Sequence, residues 1–387
     1  ELRVALAAGV PSVVLGGSGA GELLVTAVDG LPIGTIPSGA SWTVIADSVP
    51  GRLRILRPAG ADARGSYAGI VAVNLTEGRF AVANGRRYRG RLAVYPASGG
   101  TVTVINRVGL ESYVAGVVGP EIGPRRPNEE AAVLAQAVVS RSFALRNRGR
   151  WESLGFDAYA DVRDQVYLGV SGETPQVWSA IRRTAGQVLR HGGQTIDAYF
   201  HSTCGYRTAA VEEAFATARP RSYLRSISDE RGGGRYYCDI SPRFRWREEW
   251  DGPELRAILT RTLPAVMSVG DNGLPRVTNV TVSRTTRSGR VGELRIVFER
   301  GDVRIPGHLV RQILRPDGVR ILRSGAFQLT VEHGAGGEVS RLVAAGAGSG
   351  HGVGMCQWGA IGRARAGQDY RKILTTYFPG TQIERAY

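Results

Sequence analysis

Glu121 is the side chain in this sequence best equipped for proton transfer. It stands in GPEIGP between Pro120 and the Gly123-Pro124 pair, a setting that reads as a fixed turn tolerated by neither strand nor helix. A carboxyl group held there, just ahead of a long helix, can act as general acid and base; a solvated loop glutamate is the alternative. Two further clusters carry chemistry. AYFHSTCGYRT brings His201, Ser202, Thr203 and Cys204 to a Gly-bounded strand end, four versatile polar groups in a row. GSGHGVGMCQWG sets His351 on a Gly-rich loop before a helix that carries Gln357 and Trp358. An amide and a flat apolar ring suit a sugar, gripped by hydrogen bonds and face stacking. A phosphate cradle would want a Lys or Ser/Thr after the glycines, which this loop lacks.

His201, Cys204, Cys238 and Cys356 form a candidate zinc set. The spacing is HxxC plus distant cysteines, and three thiolates point to a closed structural site rather than an open catalytic one. A Cys204–Cys238 disulfide, with Cys356 left as a buried free thiol, is the competing expectation.

The elements that must position these groups read as α+β. Residues 1–98 form an N-terminal β-rich module of short strands, LRVALA, SVVLG, ELLVTAV, WTVIA, RLRILR, GIVAVNL, RFAVA and RLAVYP, punctuated by Gly, Pro and Asn-Gly. Within it Gly16-Gly17-Ser18-Gly19 reads as a plain turn and Asn84-Gly85 as a solvated hairpin turn. Residues 99–387 form the main domain. It opens with the strand TVTVINRV, a short amphipathic LESYVAGVV and the Glu121 turn. A helix capped by Asn128 follows, with Glu129 and Glu130 in its first turn. Leu134, Val138, Arg141 and Leu145 recur at helical spacing, so one face packs and carries Arg141, which either pairs with a structural carboxylate or points into a site. DAYADVRDQVYLG reads as a polar loop running into a short strand. ETPQVWSAIRRTAG is a helix with Thr174 as cap and Gly186 at its end. QVLRHGGQTIDAYFHS is a hairpin whose second strand delivers His201. Residues 246–328 read as an inserted, smaller α+β subdomain, in which DVRIPGHLVRQIL is a strand and His308 is structural or exposed, as is His333 beyond it. Helices beginning near Met355 and from Asp369 to Phe378 close the chain.

Composition narrows the partners. With 49 basic and 34 acidic residues the formal charge is +15, and Lys372 is the only lysine. The arginines are spread without a basic run or nucleic-acid motif, so an anionic cell envelope, not nucleic acid, is the expected surrounding. The greasy runs are broken by Gly or Pro within a few residues, so no transmembrane segment is expected. The chain starts at Glu1 directly in a strand-like ELRVALA, as a trimmed, mature end would.

Several of these segments together resemble one family. NRVGLESYVAGVVGPEIG, EEAAVLAQAVVSRSFAL, RDQVYLG, AYFHSTCGYRT and GHGVGMCQWGAIGRARAGQDYRKILTTYFPGT are similar, in order, to the SpoIID/LytB domain of stage II sporulation protein D-like proteins, over roughly residues 80–387. The resemblance implies a β-rich fold with a few helices around a glycan groove. It also implies an exported envelope protein (periplasm or extracytoplasmic wall) that acts on peptidoglycan glycan strands or assists a cell-wall amidase; a monomer is expected. The implied reaction is lytic transglycosylation with Glu121 as the single catalytic acid/base, its carboxyl partly desolvated and raised toward the working pH. The implied substrate-binding companions are Gln136, Arg141, Gln165, Tyr167, His201, Ser202, Thr203, His351 and Gln357. No cofactor is implied beyond the structural zinc already considered. Tyr206 stands where the family commonly has a second Gly, and Cys356 where Ser is common.

Overall fold

Alternating burial makes the N-terminal strands. In Ser12–Gly16, Ser41–Ala46 and Leu53–Leu56 the inward Val13, Leu15, Trp42, Val44, Leu53 and Ile55 are buried between more exposed neighbours, the pattern of a sheet with one covered face. The computed structural model describes residues 1–16, 21–58, 65–74, 76, 78–267 and 274–387; the expected turn at Gly17, Ser18 and Gly19 lies outside the described residues. The chain forms two units, Glu1–Arg126 with Gln136–Asp197 and Ile383–Tyr387, and Pro127–Ala135 with Ala198–Gln382.

Among the described residues, the first unit holds a seven-stranded and a six-stranded sheet. Thr101–Val108 pairs antiparallel with both Leu2–Val10 and Arg91–Ala97, so the larger sheet takes strands from both sides of residue 98. Asn84 and Gly85, with φ of 47° and 75°, make the expected hairpin, and the Asn84 amide oxygen accepts from the Val14 N–H at 2.9 Å.

LESYVAGVVGPEI is a single helix, Leu110–Ile122, which corrects the expected turn at Glu121. Pro120 has no N–H to offer the carbonyl of Gly116, but that carbonyl accepts from Leu168 N–H at 3.1 Å. A distant segment therefore satisfies the acceptor that proline leaves open. Gly123, with φ of 70°, ends the helix. A Cβ on Gly119 would collide with the carbonyl oxygen of Gly172, so helix and loop meet backbone to backbone.

The next helix, Glu130–Arg146, follows a 3-10 turn Pro127–Glu129 that contains Asn128, so the expected cap lies outside the helix proper. Its residues 132–144 are all buried, and the expected single packed face becomes a helix covered all round. Glu129 is buried too, and pairs with Arg365 at 2.6 Å. The helix Pro175–Arg183 starts as expected, with Thr174 Oγ1 accepting from Val177 N–H at 3.1 Å. In DAYADVRDQVYLG the short strand, Ala158–Tyr159, precedes the loop instead of following it. The hairpin Gln187–His191 with Gln194–Thr195 turns at Gly192-Gly193, but His201 is not on it. Phe200–His201 pairs in parallel with Met355–Cys356.

In the second unit, two three-stranded sheets and the helices Gly252–Thr262 and Gly307–Ile313 enclose a core that includes Trp250, Leu259, Leu294, Ile305 and Leu342. The expected strand DVRIPGHLVRQIL divides into strand Asp302–Pro306 and the second of these helices. The strand Val339–Ala347, past residue 328, pairs with Arg245–Asp251 and Phe327–His333. The terminal helices are Gln357–Arg365 and Tyr370–Tyr377. Among the described residues no helix is long and apolar enough to cross a membrane.

Candidate functional site

In the first unit the last turn of Leu110–Ile122 presents Glu121, which is partly exposed. Its Oε1 accepts from Val166 N–H at 2.8 Å. A carboxylate oxygen fixed by a backbone amide has a defined orientation, as proton transfer to a bound substrate requires. The neighbouring Gln165 is 1% exposed; its Oε1 accepts from Tyr113 hydroxyl at 3.2 Å, while its Nε2 has no hydrogen-bond partner. A buried amide donor without an acceptor is costly, and this nitrogen is itself closed to solvent. Burial first, and then the nearby Asp164 carboxylate, keeps the Tyr113 phenol well above its usual range, so it remains a donor.

The other expected companions in this unit are sealed. Tyr167 is buried and donates to Asn106 Oδ1 at 2.8 Å, while the Asn106 amide donates to the carbonyls of Arg89 and Arg91. Gln136 is fully buried and donates to Ser140 Oγ at 3.1 Å. Arg141 is 0% exposed and bidentate to Glu111 at 2.8 and 2.6 Å, with a further bond to the Gln187 carbonyl. Of the two expected alternatives for Arg141, the structure shows the pairing with a carboxylate, and the side chain presents no atom to solvent.

In the second unit the parallel register sets His201 opposite Cys356. Gly354, with φ of 72°, permits this approach, since a Cβ there would strike the carbonyl of Tyr199. Val353 organises both histidines. Its carbonyl lies 3.1 Å from His201 Nδ1, which must therefore carry the proton, and its N–H donates to His351 Nδ1 at 3.1 Å. His201 Nε2 is left as a buried acceptor with no partner. The rings of Tyr199 and Phe215 lie at 6.0 and 5.4 Å from His351, and the two imidazoles at 5.7 Å from each other. Thr203 is buried, sharing a 2.7 Å hydrogen bond with Ser241, whereas Ser202 and Trp358 are partly exposed and joined through Trp358 N–H to the Ser202 carbonyl at 3.0 Å. Gln357 opens the helix beside Trp358 and is largely buried.

Burial first, and then nearby Arg290, push the His201 imidazole down to about 3. Below an unfolded value of about 6.5 the unfolded chain binds a proton that the folded chain refuses. Stability from this group is therefore complete above that value and drains as pH falls toward the folded one. From about pH 7.5 to about pH 5 the expected loss is about 2 kcal/mol. Urea midpoints at the two pH values should show it, and His201→Gln should remove that part of the slope.

Comparison with known proteins bears on this arrangement. Residues 98–191 match the family described as Stage II sporulation protein, and residues 221–354 match a domain of unknown function (DUF8618). The chain is 30% identical over 305 residues to an uncharacterized protein of Brachyspira hyodysenteriae, covering 78% of this chain and 73% of that one. It is 26% identical over 297 residues to Stage II sporulation protein D of Bacillus subtilis, covering 73% and 76% of the two. The chain belongs to the SpoIID/LytB family. The amidase enhancer of Bacillus subtilis is 23% identical over 283 residues, which is 65% of this chain but 38% of that protein.

The SpoIID match contains Glu121, Gln136, Arg141, Gln165 and Tyr167, while His201, Ser202, Thr203, Gln357 and Trp358 lie outside both matched stretches. Sequence reasoning missed Tyr113, Asn106 and Glu111, which position these groups, and Asp229. The Asp229 carboxyl lies within 4.8 Å of the thiols of Cys204, Cys238 and Cys356, all four groups being buried. It takes the place expected for His201 in that set. Nothing in SISDERGGGRYYC distinguishes Asp229 from the charges around it; only the fold brings it to the cysteines. All three cysteines are free.

Proposed function

We propose that this SpoIID/LytB-family chain is a lytic transglycosylase that cleaves the bond between N-acetylmuramic acid and N-acetylglucosamine in peptidoglycan glycan strands. The observation that carries the reading is the carboxyl of Glu121, oriented by Val166 N–H next to the unpartnered amide of Gln165. The Glu121 carboxylic acid protonates the glycosidic oxygen as that bond breaks. The resulting carboxylate takes the proton from the muramyl hydroxymethyl group, whose oxygen closes onto the anomeric carbon and leaves an anhydro end. One acid/base suffices, in contrast to two-carboxylate hydrolases, and no cofactor takes part. In the second unit the partly exposed Trp358 offers a face for a pyranose ring.

The relatives named Stage II sporulation protein D and amidase enhancer support a role at the cell envelope, where the charge of +15 suits an anionic wall. The likeness to the amidase enhancer also supports a second reading, a non-catalytic glycan binder that assists a cell-wall amidase. Purified glycan strands, intact and stripped of stem peptides, separate the two. Cleavage predicts anhydro-muramyl products by mass spectrometry from at least one of them. Retained glycan binding with no new ends from either substrate would leave the enhancer reading standing alone.

A further inference from the structure

Four segments of the second unit bring soft and hard anionic ligands to one buried point. Cys204 follows the strand Phe200–His201, Asp229 lies in the succeeding loop, Cys238 is in the 3-10 turn Tyr237–Ile240, and Cys356 caps the helix Gln357–Arg365. Their ligand atoms all lie within 4.8 Å of one another, and each cysteine is 0% exposed. Cys204 Sγ is 3.5 Å from Cys238 Sγ and 3.6 Å from Asp229 Oδ2. Tetrahedral ligands about 2.3 Å from a zinc ion stand about 3.8 Å apart, close to this spacing, whereas a disulfide needs about 2.05 Å between its sulfurs.

The surroundings are those of a charged centre. Cys356 Sγ accepts from the backbone amides of Cys204 and Gly359, each at 3.2 Å, at the start of a helix whose dipole favours a thiolate. Asp229 Oδ1 accepts from Tyr377 hydroxyl at 2.6 Å and from Arg363 at 3.2 Å, while Oδ2 accepts from Cys238 N–H at 3.0 Å. Outer hydrogen bonds of this kind orient ligating carboxylates, and Arg363 offsets part of the negative charge that three thiolates and a carboxylate leave on a divalent ion. Thiolate ligands select zinc over magnesium or calcium.

We propose that Cys204, Cys238, Cys356 and Asp229 hold one zinc ion in a closed structural site. The ion ties the strand bearing His201 to the helix bearing Gln357 and Trp358 and to the turn around Cys238. With four protein ligands and no opening to solvent it leaves no position for a substrate. Zinc enters as the three thiols give up their protons, and no electrons are exchanged.

The test uses the whole chain, purified without a metal-binding tag, with metal content and thiols measured on the same sample. The proposal expects about one zinc per chain, thiols that stay silent to a colorimetric reagent until a strong chelator is added, and then all three reacting. Asp229→Asn and Cys238→Ser should lower the bound zinc at least about tenfold. Should those variants fail to fold, wild type refolded with cobalt(II) should show tetrahedral ligand-field bands and thiolate charge-transfer absorption. Zinc below about a tenth of an ion per chain, or two thiols missing after denaturation as a disulfide, would overturn the proposal. Glycan cleavage is not the readout, so its presence or absence leaves this test unaffected.

Discussion

Glu121→Gln should lower the release of anhydro-muramyl ends about 10²–10⁴-fold, the range that general acid/base groups supply, equivalent to about 3–5 kcal/mol on the barrier. Glutamine keeps an oxygen that can accept from Val166 N–H, as Glu121 Oε1 does, so the helix end and loop should stay in place. Thermal midpoint and glycan affinity are therefore expected to be close to wild type, and the loss should fall on turnover. Glu121→Asp should also lose most activity, because the shorter side chain draws the carboxyl back from a position that the amide fixes. Unchanged turnover in Glu121→Gln would assign the proton to another group.

Arg141→Met should cost about 3–5 kcal/mol of stability, as breaking a buried pair by removing one partner does. Arg141 is fully buried against Glu111, and Glu111 also accepts from Gly186 N–H and the Tyr387 hydroxyl. Removing the guanidinium leaves a partly buried carboxylate with its strongest partner gone. Burial alone would raise the Glu111 carboxyl, but Arg141 first, and then Tyr387 and Gly186, hold it below its usual range. Its contribution to stability is therefore present above the unfolded value of about 4.3 and lost as pH falls through the folded one. Denaturant midpoints for Arg141→Met and for the Arg141→Met/Glu111→Leu pair check the account: the double variant should recover part of the loss. If Arg141 instead touched the glycan, stability would hold and binding would fail.

Burial by alternation needs only neighbours in sequence, which is why most N-terminal strands were legible, whereas Pro32–Ile36, whose burial does not alternate, was not. Local rules also found the Thr174 cap and the turns at Asn84-Gly85 and Gly192-Gly193. The helix carrying Glu121 was not legible, because its continuation through Pro120 depends on Leu168 N–H reaching the Gly116 carbonyl from a distant segment. The same long-range dependence hid the partner of Arg141, which lies 30 residues away in Glu111. It also hid Asp229, which is held beside the cysteines by its own N–H on the Tyr206 carbonyl and by the Cys238 N–H, Tyr377 and Arg363 on its carboxylate. Candidates for the site could be put forward from the sequence, since motif chemistry survives without coordinates. Which of them face a ligand could not, since that is decided by partners such as Asn106, Ser140 and Glu111, whose own sequence contexts carry no signal.

The most direct measurement of the central claim is cleavage of purified glycan strands in heavy-oxygen water, with the new ends weighed by mass spectrometry. Ring closure by the muramyl hydroxymethyl oxygen under Glu121 predicts anhydro ends that contain no solvent oxygen, formed by wild type and absent with Glu121→Gln. Reducing ends labelled from solvent, or anhydro ends formed equally by both proteins, would contradict it.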